Sequence, residues 1–252
     1  MRVIPLSEGS FTIDKTKLFV PFDETQHDLQ TRPVGSLLVE VQPFLVVTSE
    51  DVLLLDTGLG FPNQENGQLQ LITNIKKAGY EPEQVTKILL SHLHKDHVGG
   101  ITTVDGESAS ENSGFLFPSA TIYVQRRELN YALEKGLPSF VPEELGVFEG
   151  LPNVLFLESD DGVIDGGIKY HVTGAHSPFH QVFWIEDEGE IVFFGADDAP
   201  QLQQMKMRYK TKYDHDADKA MNLRREWWEK GNEEGWTFLF YHDIAHAVYK
   251  RK

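Results

Sequence analysis

Three histidines and an aspartate lie close together in the stretch 90-LSHLHKDHVGG-100, as His92, His94, Asp96 and His97. Imidazole nitrogens and carboxylate oxygens are ligands for divalent metal ions. Two imidazoles two residues apart can bind one ion, and the carboxylate with the third imidazole can bind a second. A polar loop at the end of a strand is the alternative for any single histidine, but the combination favours a metal site.

The conformation expected for this stretch brings its side chains together. While the chain stays extended, His92, His94 and Asp96 point to one side, because side chains alternate along a strand. His97 joins them only if the backbone turns, and the Val-Gly-Gly sequence at 98–100 is where we expect that turn. This spacing differs from the helical i, i+4 spacing of the His-Glu-x-x-His proteases.

The elements that position the stretch follow from apolar patterns. In the first half we predict strands at 36–48 and 52–58 as a hairpin, a helix ending at Gly79, a strand at 87–90, and a strand running into a helix over 120–136. In the second half we predict strands at 153–158, 167–173, 181–187, 190–197 and 236–243, and a helix over about 214–230. The segment 99–119 lacks periodicity and is predicted as a long surface loop, a kind that is often functional. These elements indicate two packed sheets with helices outside, an α/β sandwich.

The composition limits the class of protein. With 252 residues, 40% of them hydrophobic, the chain can bury a large core, and we expect a single domain over 1–252. The absence of cysteine excludes disulfides, thiolate metal sites and cysteine nucleophiles. A formal charge of -16 disfavours nucleic acid as a partner. Without a long apolar run or signal-peptide features, a cytoplasmic protein with no membrane contact is expected.

The sequence SHLHKDH resembles the His-x-His-x-Asp-His signature of the metallo-β-lactamase superfamily. Other motifs of that family occur here in the family's order. They are Asp56 in LLLDTGLG, His176 in VTGAHSPFH, Asp197 in IVFFGADD and His242 in WTFLFYHDIAH. The resemblance covers most of the chain and implies the family's fold, a four-layer αββα sandwich with two mixed sheets.

The resemblance also implies a role for each motif residue. One ion would bind to His92, His94 and His176, a second to Asp96, His97 and His242, and Asp197 would bridge them. Asp56 and His180 would lie behind the ligands as supporting groups, although Asp56 is also a typical turn residue before glycine. Asp198 is left open as the bridge instead of Asp197, because the pattern does not fix where the preceding strand ends.

The chemistry implied by the resemblance is hydrolysis at two divalent ions. Zinc is expected, with manganese or iron as alternatives, and a bridging hydroxide would attack a carbonyl carbon. Asp96 is the candidate catalytic residue, because its carboxylate can pass a proton to the leaving group. His94 favours a zinc hydrolase, since the redox-active diiron branch usually has a glutamate at that position and needs a flavin partner.

Residues 120–136 and the ending FYHD are similar to the branch that contains acyl-homoserine lactonases, so we expect a small-molecule ester or lactone as substrate. Those lactonases carry a tyrosine three residues after the bridging aspartate, where this chain has Pro200. Tyr209, Tyr213 and Tyr241 are left open as replacements. A thioesterase of the glyoxalase II type, a phosphodiesterase and a non-catalytic metal-binding protein of the same fold are the alternatives.

Trp227 and Trp228 are neighbours in the helix predicted over 214–230. Adjacent helical residues face about 100° apart, so one indole is expected in the core. The other is left open as a core residue, a dimer contact or a wall of the pocket. A homodimer therefore stays an open alternative.

Overall fold

Two six-stranded sheets and one three-stranded sheet make up the β-structure in the computed structural model, which describes residues 1–23, 25–62, 67–101 and 115–251. The first sheet has the order β1 (Arg2–Pro5), β5 (Phe44–Val47), β6 (Val52–Leu55), β7 (Lys87–Leu89), β8 (Thr121–Gln125) and β9 (Val154–Leu157). The second has the order β10 (Asp161–Ile164), β11 (Ile168–Val172), β12 (Gln181–Asp187), β13 (Glu190–Phe194), β14 (Thr237–Leu239) and β15 (Val248–Lys250). The small antiparallel sheet has the order β3 (Phe19–Pro21), β2 (Gly9–Ile13) and β4 (Leu37–Val41).

Both large sheets are mixed, as the resemblance implies. In the first, β1, β5 and β6 are antiparallel while β6 through β9 run parallel. In the second, only β13 and β14 pair in parallel. The helices are α1 (Gln70–Lys77), α2 (Lys95–Val98), α3 (Arg126–Lys135), α4 (Pro142–Leu145), α5 (Leu202–Lys206) and α6 (Ala217–Glu234), and short 3-10 turns occur at Leu29–Thr31, Pro82–Gln84, Gly146–Glu149 and Ala196–Asp198.

The alternation of side chains along the strands produces the layers. Leu53 and Leu55 of β6 belong to the core between the two sheets, whereas Leu54 packs with the outer core that includes residues of α1 and α3. A third cluster lies between the second sheet and helices α5 and α6. Helices therefore cover both outer faces, and the predicted four-layer αββα sandwich is confirmed.

The third cluster contains Trp227, which is buried with its ring centroid 4.9 Å from that of Phe193. Trp228 is half-buried and lies 5.1 Å from Tyr249, measured between ring centroids. One of the two adjacent indoles is thus a core residue, as expected from the helical angle. Among the helices of the described residues, none has the length and apolar character of a membrane span.

Two sequence-based assignments of strands need correction. The segment 36–48 divides at Pro43: β4 pairs with β2 in the small sheet, and only β5 forms the predicted hairpin with β6. The strand predicted at 153–158 belongs to the first sheet and not to the second set, because β9 pairs in parallel with β8 after the crossover through α3. Of the long loop predicted over 99–119, residues 102–114 lie outside the described residues.

Candidate metal centre

Four side chains from three segments converge at the ends of the strands and form what we name the first group: His92, His94, His176 and Asp197. Nδ1 of His94 lies 2.9 Å from Nε2 of His92 and 3.2 Å from Nε2 of His176. Oδ2 of Asp197 lies 3.1 Å from the His176 nitrogen and 4.0 Å from the His92 nitrogen. One ligand atom of each residue lies within 4.8 Å of the others, a spacing and donor set suited to one ion.

Asp96, His97 and His242 form the second group, directly beside the first. Oδ2 of Asp96 lies 3.7 Å from Nε2 of His97 and 3.5 Å from Nε2 of His242. Oδ1 of Asp197 lies 3.3 Å and 2.9 Å from these two nitrogens. Each carboxylate oxygen of Asp197 therefore faces one group, and all seven side chains predicted as ligands are brought together.

A short helix brings His97 to the other side chains, and the predicted turn at 98–100 does not. Helix α2 begins at Lys95 with His94 as its N-cap, so the backbone leaves the extended conformation before Asp96. The expectation that Asp96 continues the alternation of a strand was wrong. Gly99 and Gly100 instead allow close packing, because a Cβ at either position would collide with the backbone of the segment that follows β6.

Asp56 lies beneath the histidine-rich stretch and is fully buried. It accepts hydrogen bonds of 2.7 Å each from the backbone N–H and the hydroxyl of Ser91. Its Oδ2 also lies 2.7 Å from Nδ1 of His97, which leaves Nε2 of that ring facing the second group. With a φ of +54°, Asp56 is at the same time a turn residue, so the geometry fits both interpretations of this position.

Asp214 supports His176 in the same way, and the sequence analysis did not identify it. Its Oδ1 lies 3.0 Å from Nδ1 of His176, so that Nε2 of the ring faces the first group. The two residues are 38 positions apart, and Asp214 lies in no motif. A carboxylate just before a helix start is common, so nothing in the sequence distinguishes it.

Asp198, the alternative bridge, faces away from both groups. It accepts hydrogen bonds from the Thr173 hydroxyl and, at 2.7 Å, from the backbone N–H of His176. Its Oδ2 lies 3.0 Å from Nδ1 of His180. The geometry therefore favours Asp197 as the residue between the groups, and places His180 behind the site against Asp198.

A buried carboxylate of α3 connects two of the segments that carry these residues. Glu128 accepts hydrogen bonds of 3.0 and 2.9 Å from the Ser177 hydroxyl and one of 3.4 Å from the backbone N–H of Leu93. Ser177 follows His176, and Leu93 lies between His92 and His94. Glu128 was also not identified from the sequence, where it is one charged residue in the first turn of a helix.

The segment after β14 contributes a tyrosine and a histidine with different roles. The Tyr241 hydroxyl donates a 2.6 Å hydrogen bond to the backbone carbonyl of Asp96, and its ring stacks on His97 at 4.1 Å between centroids. Nδ1 of His242 lies 2.6 Å from the carbonyl oxygen of Glu40, which orients the ring. Tyr241 is thus a buried support of α2.

The protonation states favoured by the protein suit metal binding in the first group. Burial lowers the pKa of His92 and His94, and neighbouring histidines lower it further. Burial alone would raise the pKa of Asp197, but the surrounding histidines hold it well below its usual range. In the second group burial lowers the pKa of His97 and His242, and the adjacent carboxylates outweigh that effect and raise it. The neutral imidazoles of His92 and His94 and the ionised carboxylate of Asp197 are in the forms that a divalent cation requires.

Two buried polar atoms test whether a cation fits. Nε2 of His97 and Oδ1 of Asp197 have no hydrogen-bond partner among the residues that the structure describes. A buried polar atom without a partner is costly and is rare in folded proteins. Both atoms face the second group, where a cation would satisfy them. The nitrogen and oxygen donors therefore fit divalent ions such as zinc.

A cleft opens above the two groups, and the empty space in it, part of which is open to solvent, is about 690 Å³. Apolar side chains of the small sheet form one wall: Ile13, Phe19, Leu37 and Val39. Tyr213 also lines the cleft, whereas Tyr241 lies below His97. Of the tyrosines considered as replacements at the position of Pro200, Tyr213 is the one in the cleft lining.

Comparison with known proteins identifies the family. Residues 38–231 match the metallo-beta-lactamase superfamily, and the chain belongs to it. An N-acyl homoserine lactonase of Bacillus cereus is 28% identical over 197 residues, which cover 69% of this chain and 71% of that lactonase. An N-acyl homoserine lactonase of Bacillus thuringiensis is 31% identical over 175 residues, and the match spans 61% of this chain and 62% of the lactonase.

A solved structure supports the same fold. AidC, described as a dizinc quorum-quenching lactonase in complex with a product, superposes with a TM-score of 0.72 at 20% sequence identity, covering 99% of this chain and 90% of that one. At this identity the likeness shows the fold alone. Together with the family match and the lactonase relatives, it places the chain among the lactonase-like metallo-hydrolases.

Proposed function

We propose that this protein is a dinuclear metal-dependent hydrolase that cleaves a lactone or ester bond in a small molecule. The observation that carries the proposal is Asp197, whose two oxygens face two separate groups of ligand atoms below a cleft. The lactonase relatives and the dizinc description of AidC support the reaction class and the metal.

The residues that would hold the ions are those of the two groups, with Asp197 shared between them. Zinc ions bound there would polarise a carbonyl group and supply hydroxide at neutral pH. Asp96 is the candidate proton carrier, because it lines the cleft while its backbone is fixed by Tyr241.

The remaining residues of the cleft bind and orient the substrate. The apolar wall of the small sheet contacts the acyl part of the molecule, since burying hydrocarbon there removes it from water. The Tyr213 hydroxyl is the candidate donor to the lactone or ester oxygen, in place of the tyrosine that Pro200 replaces. Replacing Tyr213 with phenylalanine should lower kcat by about tenfold or more and leave the metal content unchanged.

Elemental analysis and a substrate panel test the proposal. The purified protein should carry about two equivalents of a divalent metal per chain. Steady-state rates on lactones, aryl esters, thioesters and phosphodiesters should be highest for lactones or aryl esters. A protein that binds no metal, or that cleaves only phosphodiesters, would contradict the proposal.

A matched pair of histidine variants separates metal loss from general damage. His242→Ala removes a residue of the second group, whereas His246→Ala changes an exposed ring four residues later. We expect His242→Ala to lose close to one equivalent of metal and most activity, and His246→Ala to keep both. Equal behaviour of the two variants would count against the assignment of His242.

A further inference from the structure

Two lysines line the same cleft as the candidate metal centre. Lys17 lies in the turn between β2 and β3, and Lys95 is the first residue of α2. Both side chains are half-buried and border the cleft together with His94 and Asp96. They come from segments far apart in the chain, so the tertiary structure alone places them at one opening.

Neither ammonium group forms an ion pair with a carboxylate of the described residues. Within the described part of the chain, no carboxylate lies within 4.0 Å of Lys17 or Lys95, whereas other lysines such as Lys87 do have such a partner. Each ammonium group lies near an aromatic ring. Nζ of Lys17 lies 5.7 Å from the ring centroid of Tyr213, and Nζ of Lys95 lies 5.8 Å from that of Phe19.

The carboxylates near this opening have other partners. Asp14 on the rim accepts hydrogen bonds from the backbone and the hydroxyl of Thr16. Asp96 and Glu144 act on Lys95 only at longer range, and Asp96 belongs to the second group, where its charge would be shared with an ion. The positive charge of the two lysines is thus left available to a ligand.

The overall charge of the chain makes this local charge significant. At -16, the protein as a whole repels anions, and a cationic feature at the opening, added to the charge of ions held in the two groups, would favour an anionic substrate. Two half-buried ammonium groups beside low-dielectric apolar walls supply such a feature, because a cleft concentrates the field of the charges that line it. An amine or a neutral molecule would gain nothing from them.

We propose that Lys17 and Lys95 bind an anionic group of the substrate, so that the preferred substrate is a lactone or ester that also carries a carboxylate. The hydrocarbon part of that molecule lies against the apolar wall, with Phe19 beside the Lys95 ammonium. This inference rests on the proposed hydrolase function and narrows its substrate class. A phosphate group offers the same chemistry to lysine, and the test distinguishes it from a carboxylate.

The test compares aryl esters that share p-nitrophenol as leaving group and differ at the far end of an acyl chain of equal length. The far end is a methyl group, a carboxylate, a phosphate or a trimethylammonium group. For the metal-loaded protein we expect kcat/KM for an anionic ester to exceed that for the methyl ester by about tenfold. The trimethylammonium ester should be the poorest, and 0.5 M salt should reduce the preference.

Glutamine variants connect the preference to the two lysines. The double variant Lys17→Gln/Lys95→Gln keeps side chains of similar length without charge, and the ratio of kcat/KM for the carboxylate ester to that for the methyl ester should fall from about ten to about one. Lys15→Gln is the matched control, because Lys15 lies in the same turn, is exposed and does not line the cleft. A preference that survives the double variant, or that is absent from the unmodified protein, would overturn the proposal.

A binding measurement keeps this test separate from the test of the hydrolase function. Calorimetry with glutarate on the metal-loaded protein should show weaker binding to the double variant by several-fold. If no ester is cleaved but this difference is found, the hydrolase assignment fails and the anion site stands. If esters are cleaved without charge preference and glutarate binds both proteins equally, the anion site fails and the hydrolase assignment stands.

Discussion

The two parts of the candidate metal centre are built in different ways. The contiguous residues, His92 through His97, follow one strand, and Asp96 and His97 lie in a single turn of helix above Asp56. The distant residues, His176, Asp197 and His242, each come from a separate segment of the second sheet. Local backbone structure positions the contiguous residues, whereas packing between segments positions the distant ones.

The supporting contacts reflect this difference. Asp56 holds both the backbone and a ring of the contiguous stretch, through Ser91 and His97. The distant residues depend on separate supports, namely Asp214 for His176 and a backbone carbonyl for His242. A substitution that disturbs the contiguous residues should therefore lower both the stability of the fold and the affinity for metal. A substitution at a distant support should lower the affinity for one ion only.

The largest effect is expected at Asp197, where the two parts meet. Asp197→Asn removes the charge shared by both groups, and kcat/KM should fall by about 10³-fold, with loss of metal. Asp198→Asn should instead lower the melting temperature, since Asp198 holds the backbone of His176 and the ring of His180. Metal analysis, kinetics and thermal unfolding of both variants check this, and the opposite ranking would show that Asp198 is the bridge.

A smaller but broader effect is expected at Asp56. Asp56→Asn weakens the hydrogen bonds to Ser91 and His97, and it should lower the free energy of unfolding by about 1 to 3 kcal/mol. Metal affinity should fall by about 10- to 100-fold as well, because the orientation of His97 is lost. Chemical denaturation and metal titration measure the two effects. A variant with normal stability would contradict the view that Asp56 supports the whole contiguous stretch.

The corresponding change at Asp214 should act on one ion only. Asp214→Asn alters the support of His176, so affinity at the first group should fall by about tenfold while the free energy of unfolding changes by less than about 1 kcal/mol. Competition with a chelator resolves the two binding steps. Equal weakening of both steps would mean that the two groups are not independent.

The smallest effect on activity is expected from a substitution at Glu8. This residue is buried below the loop that follows β6, and its carboxylate accepts a 2.5 Å hydrogen bond from the backbone N–H of Leu59. Burial raises the pKa of Glu8 from 4.5 to about 8. The folded state then binds this proton more tightly than the unfolded state, so the contribution of Glu8 to stability is greatest below pH 4.5 and is lost as the pH rises through about 8. Glu8→Gln should flatten that decline, as urea unfolding at several pH values would show. If the free energy of unfolding changed with pH in the same way for Glu8→Gln and for the unmodified protein, the prediction would be contradicted.

Strong local patterns were sufficient to predict much of the fold. The α/β sandwich of two sheets, α1, the hairpin of β5 and β6, and the strand and helix over 120–136 were predicted from apolar periodicity, and the resemblance to the family implied the four αββα layers. The strands β1, β2, β3, β10 and β15 and the helix α5 were not, because they have three to five residues each and periodicity needs a longer segment. The sheet to which β9 belongs depends on pairing between distant residues, which periodicity does not report.

The site shows the same division between local and tertiary information. The sequence by itself determined the types and order of the seven candidate ligands, because donor chemistry and motif spacing are properties of the chain. Only the tertiary structure decided that Asp197 faces both groups while Asp198 turns away, that Asp214 supports His176, and that Lys17 and Lys95 share one opening. These relations join residues far apart in the chain, and their geometry depends on how the two sheets pack.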